Sequence, residues 1–124
     1  MTDVAMFLGR VLLAALFLVS GAAKAMNFEG TQIYMDIMGM PGGILPLVLF
    51  LEIGGSLCLI AGVFMRTAAV FLAFFCLLTA IVFHSDFSQQ LEISNFLKNM
   101  AIAGGLIVLS CVGPGKIALS GWGR

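Results

Sequence analysis

Four long apolar runs separated by short polar breaks organise this chain. Met6 to Ala23 is the first, interrupted only by Arg10, Ser20 and glycines. Gly43 to Met65 is the second and holds Glu52, which is followed by thirteen residues without a charge before Arg66. Thr67 to Phe83 is the third and is charge-free, and Ile93 to Val112 is the fourth, with Lys98 and Asn99 near its start. Each is close to the ~20 residues a helix needs to cross ~30 Å of hydrocarbon. The runs do not alternate strictly, and they are longer than barrel strands of about 9–11 residues. Inside lipid the backbone must satisfy its own polar groups, so helices are the expected form. The pattern predicts an all-α polytopic membrane protein, a single domain over 1–124, with four transmembrane helices near 5–25, 43–65, 67–84 and 93–112.

The connections differ in length. Helices two and three meet at "MRT", where Thr67 fits an N-cap and predicts a tight hairpin. "HSDFSQQLE" joins helices three and four and is largely polar. "MNFEGTQIYMDIMGMPGG" is longer, and its mixture of Phe28, Ile33, Met35, Ile37 and Met38 with Glu29, Gln32 and Asp36 predicts a short interfacial helix, stopped by Gly39 and Pro41. The tail turns at Gly113-Pro114-Gly115 and carries Trp122, a residue suited to the membrane interface. "SGAAKA" at 20–25 looks like a cleavage site, but the run before it is long and has Asp3 and no basic residue before Arg10. An uncleaved first helix is expected.

Composition agrees: 61% of residues are hydrophobic and 10% charged, against about 45–50% and 25% in soluble domains. The formal net charge is zero, which leaves no basic footprint for nucleic acid. Arg10, Arg66, Lys116 and Arg124 fall towards the side of the termini, Lys24 and Lys98 towards the other. The excess of basic residues favours cytoplasmic termini. With that orientation Ser20, Lys24, Glu52, His84, Lys98 and Asn99 all fall in the outer half of the bundle.

These residues resemble a known family. "GRVLLAALFLVSGAAK" resembles the DoxX signature of helix one. "LEIGGSLCLIAGVFMRTAAVFLA" is similar to its second block, with Glu52, Gly62, Arg66 and Ala69 at the family positions. "NFLKNMAIAGGLIVLSCVGPGK" is similar to its last, with Lys98, Asn99, Gly104, Gly113 and Pro114. Leu119 to Gly121 resembles a weaker "SLD"-like ending from which the acid is missing. The resemblance implies a small bacterial inner-membrane protein of four helices. The related DoxD type forms the membrane part of a thiosulfate:quinone oxidoreductase, which is the source of a redox expectation here.

Each candidate has a plain reading beside the functional one. Charged residues within a membrane span point to a site, yet Lys24 and Glu52 could equally be a pin between helices one and two. In the pair, Ser20 and Asn99 are expected to supply the remaining hydrogen bonds. His84 reads as a solvated interfacial histidine, with a proton relay as the sharper alternative. Arg10 and Arg66 are expected to snorkel to headgroups or to be structural. Gly54, Cys58 and Gly62 recur every four positions and read as a packing stripe, within the bundle or in a homodimer. Cys58, Cys76 and Cys111 lack C-x-x-C spacing, which argues against a dithiol mechanism. Met26, Met35, Met38 and Met40 could attract Cu(I), but apolar filling is the better account, and no metal ligand is assigned. No phosphate loop, dinucleotide fingerprint, zinc pair or nucleophile triad can be assembled.

Three functions follow as expectations. The first is a redox-linked subunit holding a quinone or similar apolar ring in the outer half and serving a membrane-associated oxidoreductase partner. The second is a non-enzymatic adaptor whose polar cluster locks helices together. The third and weaker one is a transporter of small solutes, for which four helices would need a dimer.

Overall fold

The computed structural model describes residues 2–84 and 88–118. Trp122, Leu119 to Gly121 and Arg124, and Ser85 and Asp86 beside His84, lie outside them. The described chain is helical, with α1 (Thr2–Met26), α2 (Phe28–Ile37), α3 (Gly42–Ala61), α4 (Met65–Phe83) and α5 (Gln90–Val112). All but α2 are long and apolar enough to cross a membrane. The α2 helix is the short element between the first two spans, and Gly39 with a φ of +91° follows its end.

The α3 helix is composite. A 3₁₀ turn (Gly42–Ile44) leads into an α segment that has Pro46 in its first turn, where a missing N–H costs nothing. A π-helical turn (Phe50–Gly54) follows, then a second α segment (Gly55–Ala61). Glu52 lies inside the π turn. Such turns are rare and gather at functional sites.

The second hairpin differs from the expected one. The helix stops at Ala61, four residues before Met65, and Thr67 lies within α4 rather than at its cap. Gly62 takes φ +80° and closes α3 through its N–H to Cys58 O at 2.8 Å. This left-handed conformation is one that glycine adopts without steric penalty.

Lipid tails are as apolar as leucine, so helix association here rests on close packing. The core joins Ala14 and Phe17 of α1, Leu59 of α3, Leu72 of α4 and Leu106 of α5. Within the bundle, Gly54 of the glycine stripe makes no close approach. A Cβ on Gly54 would meet nothing within 4 Å, whereas one on Gly55 would lie 3.1 Å from Leu72 and one on Gly21 2.8 Å from Ile53. In sequence, α1 packs on α3, α3 on α4 and α4 on α5, while α1 and α5 touch only sparsely. The start of α1 and the segment that follows α5 share one end of the bundle, where Lys116 N–H donates to Asp3 Oδ1 at 3.2 Å. The α2 helix marks the opposite, loop end.

Candidate functional site

A cavity of about 290 Å³ lies between the spans, below α2. That volume is at the lower edge of the ~300–1,000 Å³ common for small-molecule sites. Its α1 wall is Leu16, Phe17, Ser20 and Lys24, mostly one helical stripe. Val48 and Glu52 come from α3, Asn99 from α5, Phe75, Cys76, Thr79 and Phe83 from α4, and His84 from the cap that follows it. Thr31, Tyr34 and Met35 of α2 cover the loop end with Met40, and Tyr34 stacks on Phe83 with ring centroids 5.3 Å apart.

The structure brings Lys24 and Glu52 together. Lys24 Nζ donates to Glu52 Oε1 and also to Ser20 Oγ at 3.3 Å. It sits 5.4 Å from the centroid of the Phe75 ring, within cation–π range. The pair is unevenly buried: the Glu52 side chain is 1% exposed and that of Lys24 30%. Gly21 makes the meeting feasible, because a Cβ there would press on Ile53 and lie 3.4 Å from Glu52 Oε2. That second carboxylate oxygen is buried and has no hydrogen-bond partner. A buried acceptor left unmatched costs about 1–3 kcal/mol, more when charged.

Neither Ser20 nor Asn99 completes the carboxylate. Ser20 serves the lysine, and Asn99 Nδ2 donates to Thr79 Oγ1 at 3.1 Å, tying α5 to α4. Thr79 was not among the sequence candidates, since a lone threonine in an apolar run gives no signal. His84 lines the cavity at the end of α4, and its Nδ1 lies 2.9 Å from Glu92 Oε2. A carboxylate on one ring nitrogen orients the ring and leaves the other nitrogen free to exchange a proton. Lys98 is exposed on α5 and does not line the cavity. Met35 and Met40 share the lining with His84, but among the described residues no group of three or more His, Cys, Asp or Glu is placed to hold a metal.

The two arginines stand apart from this site, and Arg10 does not reach for headgroups. It is completely buried (0% exposed). Its Nη1 donates to Leu59 O at 3.1 Å and Ile60 O at 3.5 Å, and its Nη2 to Ile117 O. Those first two carbonyls belong to the last turn of α3, which has no intrahelical donors for them. A cation there also suits the helix dipole. Arg66 lies against Gly113, where a Cβ would come 2.8 Å from Nη2. Gly62 likewise carries no side chain because Arg10 Nη1 would be 2.6 Å from its Cβ. Of the stripe, then, Gly62 serves the arginine and the turn.

The profile of the DoxX family matches residues 5–85. The chain is 44% identical over 117 residues to inner membrane protein YqjF of Escherichia coli strain K12, covering 94% of this chain and 90% of that one. It is 31% identical over 123 residues to inner membrane protein YphA of the same organism, covering 94% and 88%. No solved structure matches.

Proposed function

This chain belongs to the DoxX family of multi-pass inner-membrane proteins, and from that premise we propose that it is a redox-linked membrane subunit that binds a quinone or a similar apolar ring in the cavity beneath α2. One observation carries the reading: a carboxylate buried in the span of α3 keeps one oxygen without a partner, beside a partly exposed ammonium, in a cavity walled by aromatic rings. Phe17, Phe75, Phe83 and Tyr34 offer flat apolar surfaces. Lys24 donates a hydrogen bond to a ring carbonyl, and Glu52 Oε2 holds the proton that the reduced ring acquires or gives up. Reduction takes two electrons, which a membrane-associated oxidoreductase partner supplies, and two protons, which Glu52 takes from water and passes to the ring one after the other. The excess of Arg10, Arg66 and Lys116 at the end of the termini supports placing that end in the cytoplasm.

The test is extraction of lipids from protein purified out of its native membrane. Quinone at a stoichiometric level, lost in Glu52→Gln, is the expected result. Quinone no richer than in the bulk lipid, together with a reproducible protein partner, would favour the second reading. That reading also has an observation behind it: the Lys24–Glu52 bond ties α1 to α3 and so acts as a helix lock in an adaptor.

A further inference from the structure

The helices form an open arc, and the cavity lies at its gap. Three seams close by packing, and the fourth, between α1 and α5, is nearly bare. The two helices come near each other at Leu13 and Gly105, where a Cβ on the glycine would sit 3.9 Å from Leu13 Cδ2. Towards the loop end from there, Leu16, Ser20 and Lys24 of α1 and Asn99 of α5 line the cavity. Leu16 does so while 45% exposed on the outside of the bundle. The direct way to the loop end is covered by α2, held by the stack of Tyr34 on Phe83. A water-borne solute therefore meets a lid, and a molecule dissolved in the bilayer meets an apolar edge.

We infer that the α1–α5 seam is a lateral portal from the bilayer, and that the ligand is a membrane-borne amphiphile whose polar head enters the cavity while its apolar tail stays in the seam. Size argues the same way. About 290 Å³ holds a ring-sized head and little more. The rest of a lipid-soluble molecule lies outside, along the exposed Leu16 of α1 and Ala101 of α5. The orphaned Glu52 Oε2 and the half-buried Lys24 set the chemistry of the head, an oxygen-bearing group that accepts from an ammonium and exchanges a proton with a carboxylate. The inference rests on the cavity being the binding site, and not on the ring being a quinone.

Thiol access tests it in lipid nanodiscs. Ser20→Cys is placed in a Cys58→Ser/Cys76→Ser/Cys111→Ser background, with Glu29→Cys on the exposed side of α2 as the aqueous reference. Two reagents are compared, N-cyclohexylmaleimide, which partitions into the bilayer, and charged sulfonatoethyl methanethiosulfonate. Relative to Glu29→Cys, the cysteine at 20 should strongly prefer the maleimide. Adding Leu16→Trp should slow that reaction about tenfold or more and leave the reaction at 29 unchanged. The native Cys76, which also lines the cavity, gives the same comparison in Cys58→Ser/Cys111→Ser without altering α1. Equal access for the charged reagent, or no effect of Leu16→Trp, would overturn the portal. Labelling needs no quinone, so a failed quinone extraction leaves this result standing. Water-only access removes the portal without bearing on which ring is bound.

Discussion

Cutting the Lys24–Glu52 pair from each side in turn should give unequal losses, and the inequality follows from burial. Lys24→Met leaves a carboxylate whose side chain is 1% exposed with neither oxygen paired. Stranding a buried ion in this way costs about 3–5 kcal/mol. Glu52→Leu leaves an ammonium that is 30% exposed, still bonded to Ser20 and still over the Phe75 ring. That loss should be nearer the about 1.5–3 kcal/mol of one charged hydrogen bond. The double replacement by Met and Leu removes both charges and should lie close to the wild type, because a buried pair and its apolar substitute are often nearly equal in stability. Reversible unfolding by SDS titration in mixed micelles, read by far-UV circular dichroism, measures all four corners of the cycle. If Glu52→Leu proved as costly as Lys24→Met, or if the double variant were no better than the worse single one, the pair would not be the coupled, one-sidedly buried unit described here. A double variant that regains stability but no longer retains quinone would separate the site from the lock.

Gly62→Ala should destabilise by more than ~1 kcal/mol, as alanine does where φ is positive, because it meets both a φ of +80° and contacts of 2.5 Å to Ala118 and 2.6 Å to Arg10; a melting temperature unchanged from wild type would contradict the turn geometry. Arg10→Met should cost about 1.5–3 kcal/mol through its lost charged hydrogen bonds, with Arg10→Lys recovering part of it, as read by thermal unfolding in detergent. Asn99→Leu should cost little in stability, about 0.6 kcal/mol for one interhelical hydrogen bond in lipid, so a large drop in melting temperature would argue against the Thr79 contact as its main role. A reporter active only in the cytoplasm should be active when fused after Arg124 and inactive when inserted at 88–91; the reverse pattern would invert the orientation.

The spans were legible because a bilayer imposes one length and one polarity on whatever crosses it, and four apolar stretches of that length with at most one charge each leave little choice. Lys24 and Glu52 were legible for the same reason: an ion deep in an apolar run has to find its opposite. What the pattern hid was decided by backbone geometry and by which side a residue faces. The π turn around Glu52 leaves no trace in hydropathy. Gly62 looks like one member of a small-residue stripe until its φ and the guanidinium beside it are known. Lys98 and Asn99 are neighbours in sequence, but a step of about 100° around the helix sends one outward and the other into the cavity. For Arg10 the structural reading holds over the headgroup one, but the sequence could not name its partners, because they are carbonyls and every residue has a carbonyl.

Those carbonyls come from far along the chain. Arg10 is made before all of its partners: Leu59 and Ile60 follow some fifty residues later, and Ile117 107 residues later. At ~5–20 residues per second of synthesis, the last of these acceptors leaves the ribosome about 5–20 seconds after the arginine does. Until the second span follows it, the first helix carries an uncompensated cation in a bilayer, and one of that cation's three carbonyl partners is missing until after the fourth. The side chain that pins the first of the four spans is thus fully partnered only by a residue that follows the last of them. A chain interrupted before Ile117 would contain all four spans and still lack one of the three carbonyls that hold Arg10.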